Sequence, residues 1–171
     1  MNEMYTYTVP IFIKMLGGLK RVLSKAQEAV ARGVLQEEKL ISDALAPDMF
    51  AFARQVQVAC DQAKGVAARL SGSMAPKFQD SETTLAQLQE RIDKTLEYLK
   101  TITPEMFEGA ASRKIELPYF PGKYMEGFEY AREYGLPNFF FHITTAYNLV
   151  RRNGVEVGKA DFVNGLPLKN L

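Results

Sequence analysis

The chain has 171 residues, enough for one domain with a sizeable core, and its 47% hydrophobic and 24% charged residues are ordinary proportions for a globular protein. A net charge of +1, from 21 basic and 20 acidic residues, argues against a dedicated nucleic-acid binder, which needs a concentrated basic surface. The one cysteine, Cys60, cannot close an internal disulfide, no apolar run approaches the ~20 residues that span a bilayer, and the opening MNEMYTYTVPIFIKMLGG lacks the basic start and long apolar core of a signal peptide; the expectation is a soluble cytoplasmic protein.

Thr8, followed by Val9 and Pro10, is a good start for a first long helix, and Gly33 a good end. Between them Phe12, Leu16, Leu19, Leu23, Ala26 and Val30 recur at steps of four and three, the apolar seam of a bundle helix. Gly17 and Gly18 lie inside it and fit close helix–helix packing; the alternative is close backbone approach to a ligand. Residues 34–46 form a connection of some helical character, which Leu35, Leu40, Ile41 and Leu45 could hold to the core.

A second helix is expected to open near Pro47–Asp48 and run to about Ser71, with Met49, Phe52, Val56, Cys60, Ala63, Ala67 and Leu70 as its buried stripe. Gln55 and Gln57 flank that stripe, and Asp61 lies further round. Cys60 falls on the apolar line without a basic neighbour to lower its pKa, which suits a small buried hydrophobe better than a nucleophile. After the Ser71–Pro76 turn, a third helix is expected with Asp80 or Ser81 as its cap and Leu85, Leu88, Ile92, Leu96 and Leu99 inside; Glu90, Arg91 and Lys94 are assigned to a solvated face. Thr103–Pro104–Glu105 predicts a cap and one short turn.

From Arg113 to Leu117 the chain alternates as a short strand, Pro118–Gly122 is a turn, and Lys123–Glu126 returns, giving a small hairpin that must pack on helices to persist. A short helix near Gly127–Tyr134 leads into the last long helix. There Pro137 suits the first turn, Arg151 and Arg152 suit the negative end of the helix dipole, and Gly154 suits the left-handed residue beyond it. Phe139, Ile143, Ala146 and Val150 form its apolar stripe, and Asn138, His142, Thr145 and Leu149 a second line beside it. His142, the only histidine, therefore lies at the margin of the buried face with Asn138 one turn before it. Phe139–Phe140–Phe141 is assigned to the core and to a dimer interface. After Gly154 the tail reads as loop, with Phe162 as an anchor.

Four long amphipathic segments without surrounding strands predict one all-α helix-bundle domain over residues 1–171, with a small β-hairpin before the last helices. GxSxG, HExxH, GxGxxG and paired-cysteine spacings are all absent. GVEVGK at Gly154–Lys159 is one residue short of a phosphate loop, has Ala160 where Ser or Thr is required and follows a helix, so it is assigned to a helix C-cap and turn. A lone histidine is also a poor basis for a metal site, which ordinarily needs three or four protein ligands.

LPNFFFHITTAYNLVRRNGVEVGKADF, together with FARQVQVACDQAK and ERIDKTLEYL, resembles a family of bacterial proteins described only as a domain of unknown function, placed in the DinB/YfiT-like superfamily. The resemblance runs from TVPIFIKMLGGL to GKADF, and implies a four-helix bundle of up-down-down-up type, commonly dimeric. DinB-like members of the usual kind carry a metal-binding histidine triad, one on the second helix and two four apart on the last, in a motif like HxxxHHRGQ…LRxxG. Aligning VRRNG with the end of that motif places His142 on the second of the paired histidines and Asn138 on the first. No histidine is available for the second helix, and Thr144, Thr145 and Ala146 stand in the region of the RGQ element. The resemblance thus implies a scaffold whose metal chemistry is lost or much altered while its pocket persists.

Two functions follow as expectations. The first is a DinB-like bundle protein with a degenerate metal site, no assigned catalytic residue, metal ligand or cofactor, whose pocket at His142, Asn138 and Thr145 binds a small polar molecule. The alternative is a divergent metal-dependent hydrolase or small-group transferase, with a divalent metal held by His142, Asn138 and an oxygen group from the second helix. The expected partners are a second copy of the chain and a small-molecule ligand, with neither nucleic acid nor membrane.

Overall fold

The computed structural model describes residues 2–170. After a single turn α1 (Glu3–Thr6), four long helices dominate: α2 (Val9–Ala31), α4 (Phe52–Ser71), α5 (Leu85–Lys100) and α7 (Leu136–Arg152); the short α3 (Glu37–Ser42), α6 (Gly127–Glu129) and α8 (Lys159–Val163) fill the connections. α4 lies between α5 and α7, and α2 closes the bundle on the far side, packing against the same two helices. No helix is long and apolar enough to cross a membrane among the described residues.

The apolar periodicities form the core. Phe12, Leu16, Leu19, Leu23 and Ala26 of α2 meet Phe52, Val56, Cys60, Ala63, Ala67 and Leu70 of α4 and Phe139, Ile143, Ala146 and Val150 of α7, all buried. Phe12 meets Phe139 edge to face at 4.8 Å, an aromatic contact worth about 1 kcal/mol beyond its buried area. Leu35 and Leu40 pin the 34–46 connection, while Leu45 stays at the surface.

Gly17 and Gly18 serve packing. A Cβ on Gly18 would meet the Phe162 carbonyl oxygen at 2.4 Å, and one on Gly17 would meet Asn164 Nδ2 at 2.7 Å. α8 is therefore docked backbone-to-backbone on α2, where the sequence alone predicts loop. Asn164, left-handed at φ 55°, donates from Nδ2 to the Lys14 carbonyl at 3.0 Å, and Asp161 pairs with Lys25 at 2.8 Å.

Two helices begin later than their local signals suggest. α4 opens at Phe52 instead of Pro47–Asp48, because the Phe52 amide donates to the Asp43 carbonyl at 2.8 Å and holds the chain between them in a turn. α5 opens at Leu85, not after Asp80 or Ser81: Thr84 and Gln87 form a reciprocal capping box, and Asp80 and Glu82 are engaged elsewhere. Arg91 is a further correction. Assigned above to a solvated face with Glu90 and Lys94, it is 2% exposed, whereas the other two do lie at the surface.

Pro104–Phe107 forms the expected single turn. The hairpin pairs β1 (Lys114–Glu116) with β2 (Tyr124–Glu126), antiparallel, with Ile115 opposite Met125. From α6 the chain continues through a π-helical segment, Tyr130–Gly135, into α7. Pro137 explains the wide turn: its ring and missing N–H are incompatible with a regular hydrogen bond to the preceding turn. Gly154 follows α7 at φ 85°, as expected of a left-handed residue beyond the helix.

Candidate functional site

Phe50 ends the turn before α4, and its carbonyl accepts a hydrogen bond from Gln55 Nε2 at 2.9 Å, one turn into the helix. A carbonyl only accepts, so the amide end of Gln55 is fixed, and Oε1 is the atom that faces α7. Oε1 lies 2.7 Å from His142 Nδ1. Since an amide oxygen cannot donate, Nδ1 carries the proton, and the neutral ring has its lone pair on Nε2. Nε2 has no hydrogen-bond partner from the protein, yet among the described residues the one fully enclosed unpartnered side-chain nitrogen or oxygen is Arg91 Nε. The His142 lone pair therefore reaches solvent from a side chain only 7% exposed.

The recess around it is aromatic. The Phe50 ring is nearly parallel to the imidazole, with centroids 6.4 Å apart, and Phe141 meets it edge to face at 5.2 Å. Both phenyl rings are about half exposed. The Arg54 guanidinium rests over Phe50 at 5.7 Å. Burial, and secondarily the positive charge of Arg54, hold the His142 pKa below its ordinary value, so the ring is neutral near pH 7.

Arg54 also links this recess to a buried ion cluster. It pairs with Asp80, and Asp80 in turn lies 2.8 Å from Arg91 Nη2. Arg91 further holds Asp61 at 2.8 Å and Glu82 at 3.0 Å, and donates to the Gln79 carbonyl at 3.2 Å. Lys64 joins Asp61 at 2.7 Å, and Gln57 donates to Glu82 at 3.0 Å. Burial works against the charge on Arg91, but the Glu82 and Asp61 carboxylates outweigh it. This cluster straps the 73–84 connection across α4 and α5 and holds Arg54 beside Phe50.

Of the residues singled out from sequence, His142 stands at the centre. Asn138 is half-buried one turn earlier on α7. Thr145 is buried, its hydroxyl donating to the Phe141 carbonyl of its own helix at 2.7 Å. Among the described residues, none of five clefts of about 190 to 600 Å³ is walled by His142, Asn138 or Thr145. From sequence, a site around His142 could be completed only by groups from other helices, such as Asp61 or one of the glutamines; the structure brings Gln55 to it. Asp61 pairs with Lys64 and Arg91 instead. Cys60 is fully buried and its thiol is pushed up to about 12, chiefly by burial, which suits core and not nucleophile.

A metal at this place, which a DinB-like scaffold would imply, does not fit the donors present. Nε2 is one available ligand, but its neighbours are neutral amides and phenyl rings. Among the described residues no group of three or more His, Cys, Asp and Glu side chains is arranged to hold a cation.

Comparison with known proteins gives these features their family. A family model described as a domain of unknown function, DUF1993, matches residues 4–163. The chain belongs to the DUF1993 family. It is also similar to the crystal structure of a DinB family member protein from Shewanella denitrificans, at 45% identity and a TM-score of 0.93, over 98% of this chain and 95% of that one. No curated protein matches. The expected all-α, DinB-like bundle with its small hairpin is thus the fold of this DUF1993 chain.

Proposed function

We propose that this DUF1993 protein is a homodimeric binding protein whose His142 recess accepts a small polar molecule without a metal. The observation that carries this reading is the relay from the Phe50 carbonyl through Gln55 to Nδ1, which leaves a neutral, solvent-facing Nε2 acceptor between two half-exposed rings. The matching ligand is small, presents an N–H or O–H to Nε2, and has a flat or apolar body that rests against Phe50 and Phe141. Asn138, one turn away, supplies a second amide on the same side of α7, and Thr145 lines the helix beneath.

The test is elemental analysis of chain purified without a histidine tag, alongside a His142→Ala variant, followed by an NMR screen of small polar fragments. Expected are no stoichiometric metal in either chain, and fragments that shift the His142 ring signals of the native protein but do not bind the variant. A full equivalent of divalent metal in the native chain, lost on substitution, would instead support the metal-dependent hydrolase or transferase.

A further inference from the structure

Two residues before His142, and so roughly 200° round α7 from it, Phe140 lines a cleft of about 460 Å³ between the start of α2 and the π-helical segment. Met4, Ile11, Phe128 and Leu136 supply more of its apolar wall. That wall is braced from behind. A Cβ on Gly135 would meet Val66 Cγ2 at 2.8 Å, so the π-helical segment lies hard against α4, and Phe140 meets the core ring of Phe139 edge to face at 5.5 Å. The cleft thus exists before any occupant arrives, and its volume falls within the roughly 300–1,000 Å³ of small-molecule pockets.

We propose that this cleft binds an aliphatic carboxylate, with the alkyl chain along Ile11, Leu136 and Phe140 and the acid group at Arg132. The site is separate from the His142 recess and does not rest on the reading given to it. Two features of the lining select the ligand. The buried hydroxyl of Thr8 already donates to the Met4 carbonyl at 2.6 Å, so it has no proton left to offer, and the apolar walls around it favour a ligand body without polar groups.

The second feature is charge. Among the described residues Arg132 is the one charged side chain of the lining, and its guanidinium lies 4.9 Å over the Phe128 ring. Arg132 is 62% exposed and pairs at 2.6 Å with Glu133, itself 61% exposed. An ion pair so open to water is weak, so a ligand carboxylate can replace Glu133 as its partner. A cationic amphiphile would meet Arg132 with like charge, and an alcohol would leave the cation unused.

Methyl NMR of the native chain, titrated with decanoate, decanol and decyltrimethylammonium below their micelle concentrations, tests this. Decanoate should shift the Ile11 and Leu136 methyl signals and bind more tightly than the other two. It should also bind about fourfold more tightly than nonanoate, the gain expected from one further buried methylene. Arg132→Gln should weaken decanoate about fivefold and leave decanol unchanged. Ile11→Trp, with unchanged helical circular dichroism, should fill the cleft and abolish binding, whereas His142→Ala should not alter it. Shifts that are absent, or scattered away from these methyls, would overturn the site, as would loss of binding in His142→Ala. Equal binding of decanol or of the ammonium, or decanoate binding indifferent to Arg132→Gln, would overturn the carboxylate assignment. Movement of the same methyl signals when the ligand-free chain is concentrated would give the cleft to a second copy and overturn the proposal. If Ile11→Trp does not fold, the native titrations and Arg132→Gln decide.

Discussion

Replacing Gln55 with leucine tests the interhelical amide–imidazole bond directly. Gln55 is 1% exposed and His142 7%, and the glutamine makes two neutral hydrogen bonds, to the Phe50 carbonyl and to Nδ1. Each contributes about 1 kcal/mol net, and an N–H left buried without a partner costs a further ~1–3 kcal/mol. Two responses reduce the loss. Leucine keeps the site filled with apolar volume, and the imidazole can move its proton to the solvent-facing Nε2. The expected net destabilisation is about 2 kcal/mol, or a fall in Tm of roughly 4–8 °C for a chain of this size. A double-mutant cycle with His142→Phe, read by urea unfolding, should give a coupling of about 1–2 kcal/mol. In Gln55→Leu the ring nitrogens should exchange roles, with Nε2 protonated. A coupling under ~0.5 kcal/mol together with an unchanged tautomer would refute the relay.

Three other outcomes are expected. Arg91→Met strips one guanidinium from three carboxylates that are 34%, 38% and 12% exposed; their partial hydration puts the cost at the low end for a broken buried pair, about 3 kcal/mol, and Arg91→Lys should recover little of it because a point charge cannot bridge three partners. Chemical denaturation of both variants checks this. Because the folded-state pKa of His142 lies below its ordinary 6.5, the unfolded chain binds more protons between those two values, so stability should fall as pH drops through 6.5 and level off below the folded-state value. His142 is the only histidine, so His142→Phe should flatten that part of the curve. Gly18→Ala should displace α8, given the 2.4 Å approach of the Phe162 carbonyl, and expose the C-terminal segment to limited proteolysis while the bundle stays folded, at about 1–3 kcal/mol.

Much of the bundle was legible because burial is periodic. The stripes of α2, α4 and α7 place Phe12, Val56 and Phe139 inside on spacing alone, and Pro137 and Gly154 mark the limits of α7 by backbone chemistry that needs no partner. What escaped depends on contacts distant in sequence. Asp48 and Asp80 resemble helix caps locally, but the Asp43 carbonyl holds the chain in a turn up to Phe52, and Arg91 draws Asp80 away. Arg91 sits at a helix position that spacing assigns to solvent, and only carboxylates from α4 and from the connection ten residues earlier make its burial tolerable. α8 was hidden because five residues carry too little periodicity; its traces were the anchor Phe162, which packs on Tyr147, and the pair Gly17 and Gly18. At the site, the place of His142 at the margin of the buried face followed from the helix, whereas Gln55 became its partner only through the packing of α4 on α7. Its orientation required the Phe50 carbonyl, which no spacing rule reports.

The most direct measurement is the long-range nitrogen–proton spectrum of the His142 ring near pH 7, in protein free of any tag. Expected is a neutral ring with the proton on Nδ1 and a bare Nε2, unchanged when zinc is added at one equivalent. A proton on Nε2, a doubly protonated ring, or a stoichiometric zinc-induced shift would contradict the assignment of His142 as a metal-free hydrogen-bond acceptor.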